Sequence, residues 1–491
     1  MKPDAPPLPL ATLSDFGDWL NPMLVKELRQ GLKTNLFVGV FVLVQLAMVV
    51  LIGFRLLSAG TEDASETGEG LDAVLWVALG AAMLLVMPMR GLHSISEETK
   101  QNTLDLVQLT HLGALRIVLG KWIALVGQIL LLAAAVLPYA VLRYFFGGVD
   151  VVSNLGGMLS LLLSSMVMSA GCIMLSTAPV ITRSLLIGFL FFGISSSGFG
   201  LMVGGVIGFP GSTGMTSSLL GPLVAAVAAT SFLLGLAASR IASAAENFAV
   251  VLRGIALITA ASALIAVGIL GIRSDLWIVA AWVIGAWSIF EALTERTNEL
   301  PSLYAPWVRH GRLGRLLGRI FYPGWATGLV YTAVLLAVLV ALAALMTAPT
   351  DQDHVWIVSL LCYLAVIFPL PVVILLRQTG RIKQLGGLYL LLQGFCFLLF
   401  ALARMLSSFR GSDDALVSVI DALTPTTALL STVTGWVARS SDVHWATVPL
   451  ISLSGGGIVF LWLIHRSRRE FKLIRQLEAR VLPSPNAEPQ A

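Results

Sequence analysis

Charge is scarce in this sequence. Of 491 residues only 12% are Asp, Glu, Lys or Arg, about half the roughly 25% of an ordinary soluble protein. A single water-soluble core cannot absorb the 57% of hydrophobic residues found here. Cysteine is scarcer still: Cys172, Cys362 and Cys396 stand far apart inside apolar runs. That spacing excludes a disulfide framework or a zinc set and leaves them as helix-packing residues. The histidines, His93, His111, His310, His354, His444 and His465, are scattered without an HExxH pattern or paired carboxylates, which argues against a membrane-embedded enzyme. A GxxxxGK[ST] phosphate loop is also missing. Its closest imitation, GALRIVLGKW, has Trp122 where a Ser or Thr must bind magnesium and lacks the first glycine. The two-residue alternation of an outer-membrane barrel is absent as well.

What the chain has instead is long apolar runs. In lipid every backbone amide must be satisfied within its own segment, so such runs have to be helices. Spans are expected at 36–57, 73–92, 118–142, 155–178, 184–208 and 219–238, and again at 254–272, 276–293, 327–347, 355–376, 385–406 and 445–464. The expected fold is all-α and polytopic, with about twelve transmembrane helices, arranged as six plus six. The first run begins at Leu36 behind a mixed-charge stretch, which reads as a retained span and not a cleavable signal.

Orientation follows from the basic residues. With the N-terminus placed in the cytoplasm, all but six of the 31 Lys and Arg fall on the inner side. The exceptions, Arg55, Arg143, Arg273, Arg404, Arg410 and Arg439, each stand near a helix end, where the stem can snorkel. The first outer loop carries Glu62, Asp63, Glu66, Glu69 and Asp72 and no basic residue. Both termini are therefore expected in the cytoplasm. The net charge of +4 belongs to this topology and not to a nucleic-acid surface. Residues 415–437 are apolar but hold Asp421 and Pro425 near their middle, and counting them as a span would put Arg466, Arg468, Arg469, Lys472 and Arg475 outside. They read as a re-entrant or interfacial hairpin broken at Thr424-Pro425.

Two stretches are expected to lie on the inner surface. Before the first span, NPMLVKELRQGLKTN offers Asn21 as helix cap and Pro22 as first helical residue. Leu24, Val25, Leu28 and Leu32 share one face of that helix, and Lys26, Arg29 and Lys33 another. Between the eighth and ninth spans, Arg309, Arg312, Arg315 and Arg319 form one sector of a helix, Leu313, Leu316, Leu317 and Ile320 the next, and Gly311, Gly314 and Gly318 a third. Three glycines cost about 1 kcal/mol each in propensity, so this helix is expected to need a membrane surface or a partner to hold it.

The loop ISEETKQNTLDLVQLTHLGALRIVLGKW between spans two and three is the one long inner loop that is not basic. It resembles the corresponding loop of the permease subunits of type-2 ABC exporters, approximately EExERGTLELLLxTPLSxxxIVLGK. The matching positions are Glu97, Glu98, Thr103, Leu104, Asp105, Leu106, Leu109, Thr110, Leu112, Ile117, Val118, Leu119, Gly120 and Lys121. Gln101-Asn102 and Thr110-His111 depart from the family's Arg-Gly and Thr-Pro. The stretch NPMLVKELR also resembles that family's helix ahead of the first span, at Asn21, Pro22, Lys26, Glu27 and Arg29.

The resemblance covers roughly residues 15–250 and implies a bacterial inner-membrane permease that forms a translocation path. ATP and Mg would be bound by a separate ABC ATPase subunit, and this chain itself would carry no cofactor and no catalytic or metal site. The loop 94–116 would be the coupling element, with Leu104, Leu109 and Leu112 as apolar contacts and Glu97, Glu98 and Asp105 as the charged rim. Gly200, Gly204 and Gly208, spaced for close helix approach, would serve either packing within the chain or contact with a homodimer partner or second permease. The expected division is a cytoplasmic N-terminus at 1–35, a six-span exporter-type domain at 36–253, and a second six-span region with a basic tail at 254–491.

A secondary, ion-coupled carrier is the alternative, with a membrane scaffold behind it. Such carriers place acidic groups or broken helices near mid-membrane, whereas the mid-span polar residues here are Gln45, Gln128 and Gln393. Those are expected to make interhelical hydrogen bonds of about 0.6 kcal/mol each.

Overall fold

The computed structural model describes residues 22–58, 76–100, 113–145, 151–178, 183, 215–243, 245–272, 274–346 and 444–481, and all regular structure among them is helical. In chain order the first six helices are α1 (Pro22–Leu32), α2 (Asn35–Ser58), α3 (Trp76–Glu98), α4 (Ala114–Phe145), α5 (Val151–Thr177) and α6 (Met215–Ile241). Then come α7 (Phe248–Gly268), α8 (Asp275–Thr294), the short α9 (Ala305–Arg309), α10 (Gly311–Phe321), α11 (Trp325–Met346) and α12 (His444–Val481). Eight of the described helices, α2 to α8 and α11, are long and apolar enough to cross a membrane. The chain is a multi-pass membrane protein. These eight coincide with eight expected spans, and the expected span 445–464 falls in the first part of α12. The expected spans 184–208, 355–376 and 385–406 and the hairpin at 415–437 lie outside the described residues.

Burial shows which faces meet protein. On α2 only Phe37, Val44 and Met48 are buried among the large apolar side chains, a single seam at i, i+7 and i+11. Leu43, Leu46, Val49, Val50, Phe54 and Leu57 stay exposed on the other side, so α2 is a peripheral span turned toward lipid. The larger core runs through α4, α5, α6, α7, α8 and α11 without a break. Leu252 and Ala256 belong to it together with Ala170 and Phe232, so the packing is continuous across 253–254.

α3 contains a feature that hydropathy does not reveal. Residues Ala81–Val86 form a π-helical turn, and the Met87 N–H donates to Ala82 O, five residues back. Pro88 follows and has no N–H to give. In the shifted register that would leave the Met83 carbonyl without a donor. The Ser165 hydroxyl of α5 donates to Met83 O at 2.5 Å and fills the gap.

Helix directions follow from shared ends. The C-terminal part of α5 (Ala170, Ile173, Leu175) packs in one cluster with the C-terminal part of α6 (Leu234, Ala237, Ile241), so α5 and α6 run parallel. Ala178 and Met215 therefore stand on opposite faces of the bundle. Trp325 at the start of α11 meets α12 near Trp462 and His465. A rise of about 1.5 Å per residue puts His444 about 30 Å back along α12 from His465.

Candidate functional site

Salt bridges among the described residues gather at one face, where α3, α6 and α8 end and α4 and α7 begin. Lys121, one turn into the apolar part of α4, is the first hub. Its Nζ lies 3.0 Å from Glu27 Oε1 of α1 and 2.8 Å from Glu98 Oε1 at the end of α3, and its side chain is 4% exposed. Two turns deeper, the Arg90 guanidinium donates to Gln128 Oε1 and, at 3.1 Å, to Gly31 O of α1. Three stretches far apart in sequence are thus tied together at their charged ends.

Why α1 settles here is readable in its residues. Pro22 opens the helix, as expected, and Thr34 ends the segment with its hydroxyl donating to Gly31 O at 2.7 Å. The apolar residues Leu24, Val25 and Leu28 are half-buried, and Leu28 packs at Gly127 of α4. Gly31 is required by close approach: a Cβ there would collide with the Gln128 amide. Lys26, Arg29 and Lys33 remain exposed. The apolar stripe of α1 therefore faces α4, and its basic residues face away.

The second hub is Arg253, 2% exposed on the first turns of α7. Its Nη1 donates to Ile320 O at 2.7 Å, Tyr322 O at 2.9 Å and Thr327 Oγ1 at 3.3 Å. Its Nη2 donates to Glu295 Oε2 at 2.7 Å and Gly324 O at 3.1 Å. The last turn of α10 and the bend into α11 present a cluster of carbonyls, and the guanidinium caps them together with the Thr327 hydroxyl and the Gly328 N–H. Arg240 and Glu291, 3.9 Å apart, join α6 to α8 at the same level.

α10 rests on this second hub. Gly314 and Gly318 are its buried positions, and a side chain at Gly318 would run into the Tyr322 ring. The glycine face is thus a docking face. Leu313 (77% exposed), Leu316 and Leu317 point outward beside Arg312, Arg315 and Arg319. Beyond it Leu303, Tyr304, Val308 and Tyr322 form a small core with Ile474 and Leu477 of α12. Burial, reinforced by nearby carboxylates, pushes the Tyr304 phenol up to about 12, so it stays protonated and donates to Asn298 O at 2.8 Å.

Of the expected site residues, Glu27 and Glu98 are brought together by Lys121. Glu97 is exposed, whereas the Glu98 carboxylate is turned inward to Lys121. Thr103, Leu104, Asp105, Leu109, Thr110 and Leu112 lie outside the described residues, as do Asn21, Gly200, Gly204 and Gly208. Segment 114–122 of the phosphate-loop imitation is helical, and the Trp122 indole N–H donates to Met166 O at 3.2 Å. Cys172 is a buried free thiol packed at Gly91, in keeping with a packing role. Gln128 makes the interhelical hydrogen bond expected of it. Sequence reasoning missed Arg90, Arg253 and Glu295. The available signal was a lone cation just inside an apolar run with an acid at the end of a neighbouring run.

Comparison with known proteins finds no matching family model, no matching curated protein and no matching solved structure.

Proposed function

We propose that the chain is the transmembrane permease subunit of an ATP-driven exporter in a bacterial inner membrane, with ATP and Mg held by a separate ATPase subunit. The observation that carries this reading is the Lys121 hub. Glu27, Glu98 and Lys121 are all positions of the motif resemblance, and they meet within 3.0 Å although they come from three separate stretches. A loop that receives force must be tied rigidly to what it moves. Here the base of loop 94–116 is clamped to α4 and, through Lys121, to α1, so a push on the loop would move α1, α3 and α4 together.

A twelve-span topology with cytoplasmic termini belongs to this proposal. The opposite placement of Ala178 and Met215 supports one crossing between α5 and α6. The return of α12 onto the segment around Thr297, whose hydroxyl donates to Glu470 at 3.1 Å, supports an even number of crossings between α11 and α12. Cysteine substitutions tested in intact cells should label at Ser65 and be protected at Ser484. The reverse pattern would invert the whole assignment.

The function is tested by isolating the tagged chain from its native membranes. The account expects an ATP-hydrolysing subunit to accompany it, and no ATP turnover once that subunit is stripped away. Turnover by the stripped chain, with contaminating ATPases excluded by mass spectrometry, would overturn the permease assignment.

A further inference from the structure

A cavity of about 460 Å³ lies between the first turn of α11 and the middle of α12, lined by Trp325, Trp462, His465, Arg466, Arg469 and Glu470. It sits where both helices leave their apolar stretches, the depth at which tryptophans mark the boundary between hydrocarbon and headgroups. Three of its residues, Trp462, Arg466 and Arg469, recur at i, i+4 and i+7 and so share one face of α12. The Arg466 guanidinium lies over the Trp462 ring, 5.3 Å from its centroid, which holds the charge in place. No ion pair engages Arg466 or Arg469 among the described residues, and the one acid of the lining, Glu470, accepts the Thr297 hydroxyl at 3.1 Å.

An apolar track leads into this pocket along the same helix. Ile458 and Leu461 are each 68% exposed and stand at i and i+3, directly above Trp462 and His465. Two arginines and a histidine that converge on a small cavity suit a phosphate, since the guanidinium fork matches its oxygens. The apolar track distinguishes a phosphate that carries acyl chains from a free one. We propose that this pocket binds the headgroup of an anionic phospholipid of the adjacent leaflet, with its acyl chains laid along Ile458 and Leu461. The site is independent of any ATPase partner, so it stands or falls separately from the permease reading.

The test uses the full-length chain in detergent, titrated with phosphatidylglycerol, phosphatidylcholine or inorganic phosphate and followed by native mass spectrometry and thermal unfolding. Phosphatidylglycerol should be retained and should raise the unfolding temperature, while the other two should do neither. Each basic group near an anionic lipid contributes about fivefold, so R466Q/R469Q should weaken phosphatidylglycerol retention by roughly thirtyfold. The control R468Q/K472Q removes the same charge from the same helix outside the pocket and should leave retention unchanged. If the first pair fails to give monodisperse protein, R466K/R469K keeps the charge and tests the fork; it should lose retention, but by less than the charge-removing pair. Equal losses in the control, or equal retention of phosphatidylcholine, would overturn the site. Stabilisation by inorganic phosphate alone would overturn the lipid as its occupant.

Discussion

Replacing Arg253 by Met is expected to destabilise the protein by about 3–5 kcal/mol, enough to abolish recovery of folded material from the membrane. The magnitude follows from what the guanidinium holds. Its removal would leave the Glu295 carboxylate without its cation, take the guanidinium from the Ile320 carbonyl, and leave the Tyr322 and Gly324 carbonyls only the Thr327 hydroxyl and the Gly328 N–H. R253K should recover little of that loss. One ammonium keeps the charge, but it cannot span a carboxylate on one side and three carbonyls on the other as the planar fork does. E295Q also unpairs a buried charge, but it keeps an acceptor for the fork and leaves the guanidinium its carbonyls, so it should cost less than R253M. Thermal unfolding of the purified variants measures the order. If R253K proved as stable as the parent, charge alone would matter and the capping role would be wrong.

The second large effect is expected at Lys121. K121M would leave the Glu27 and Glu98 carboxylates, 19% and 16% exposed, beside each other without their cation. Breaking such a pair from one side costs about 3–5 kcal/mol, whereas removing all the charges together is often neutral. The triple variant K121M/E27Q/E98Q should therefore regain most of the stability that K121M loses. In K121M, α1 should also come away from α4, so a cysteine at Val25, half-buried in the parent, should react faster with a thiol reagent. Slower or unchanged labelling would mean that Leu28 at Gly127, and not the ion pair, holds α1 in place.

These hubs also mark the limit of what the sequence disclosed. Apolar runs located the eight described spans, because hydrocarbon permits only helices and helix length is set by bilayer thickness. The boundaries slipped where a charge was read as the end of a run. The expected span from 254 is observed as α7 from Phe248, with Arg253 inside it and 2% exposed. A charge marks a boundary only if it has water to reach, and Arg253 has its acceptors supplied by residues 295 and 320–327, which no local window contains. The π-turn at Ala81–Val86 escaped for the same reason, since its cause is partly Pro88 and partly Ser165 on another helix. In α10 the glycines read as weakness, but Gly318 is the contact that lets Tyr322 pack against the helix.

The candidate site was legible in its positions and not in its geometry. The motif match picked out Glu27, Glu98 and Lys121, yet assigned Glu98 to the rim that would face a partner. The structure turns that carboxylate to Lys121 and leaves Glu97 outside. The distinction matters for any test of coupling. A reversal at Glu98 would break the hub and report on folding, whereas Glu97 is exposed and in no salt bridge among the described residues, and Asp105, of the same expected rim, lies outside them.

The most direct measurement of the central claim is therefore the stimulation of the accompanying ATPase by E97K/D105K compared with the parent chain, both reconstituted at matched yield and matched unfolding temperature. The account predicts that the double reversal keeps its stability but recovers less of the ATPase and stimulates it little, because two rim charges now repel what they attracted. Undiminished recovery and stimulation would contradict coupling through loop 94–116, and the absence of any ATPase beside the parent chain would contradict the permease assignment itself.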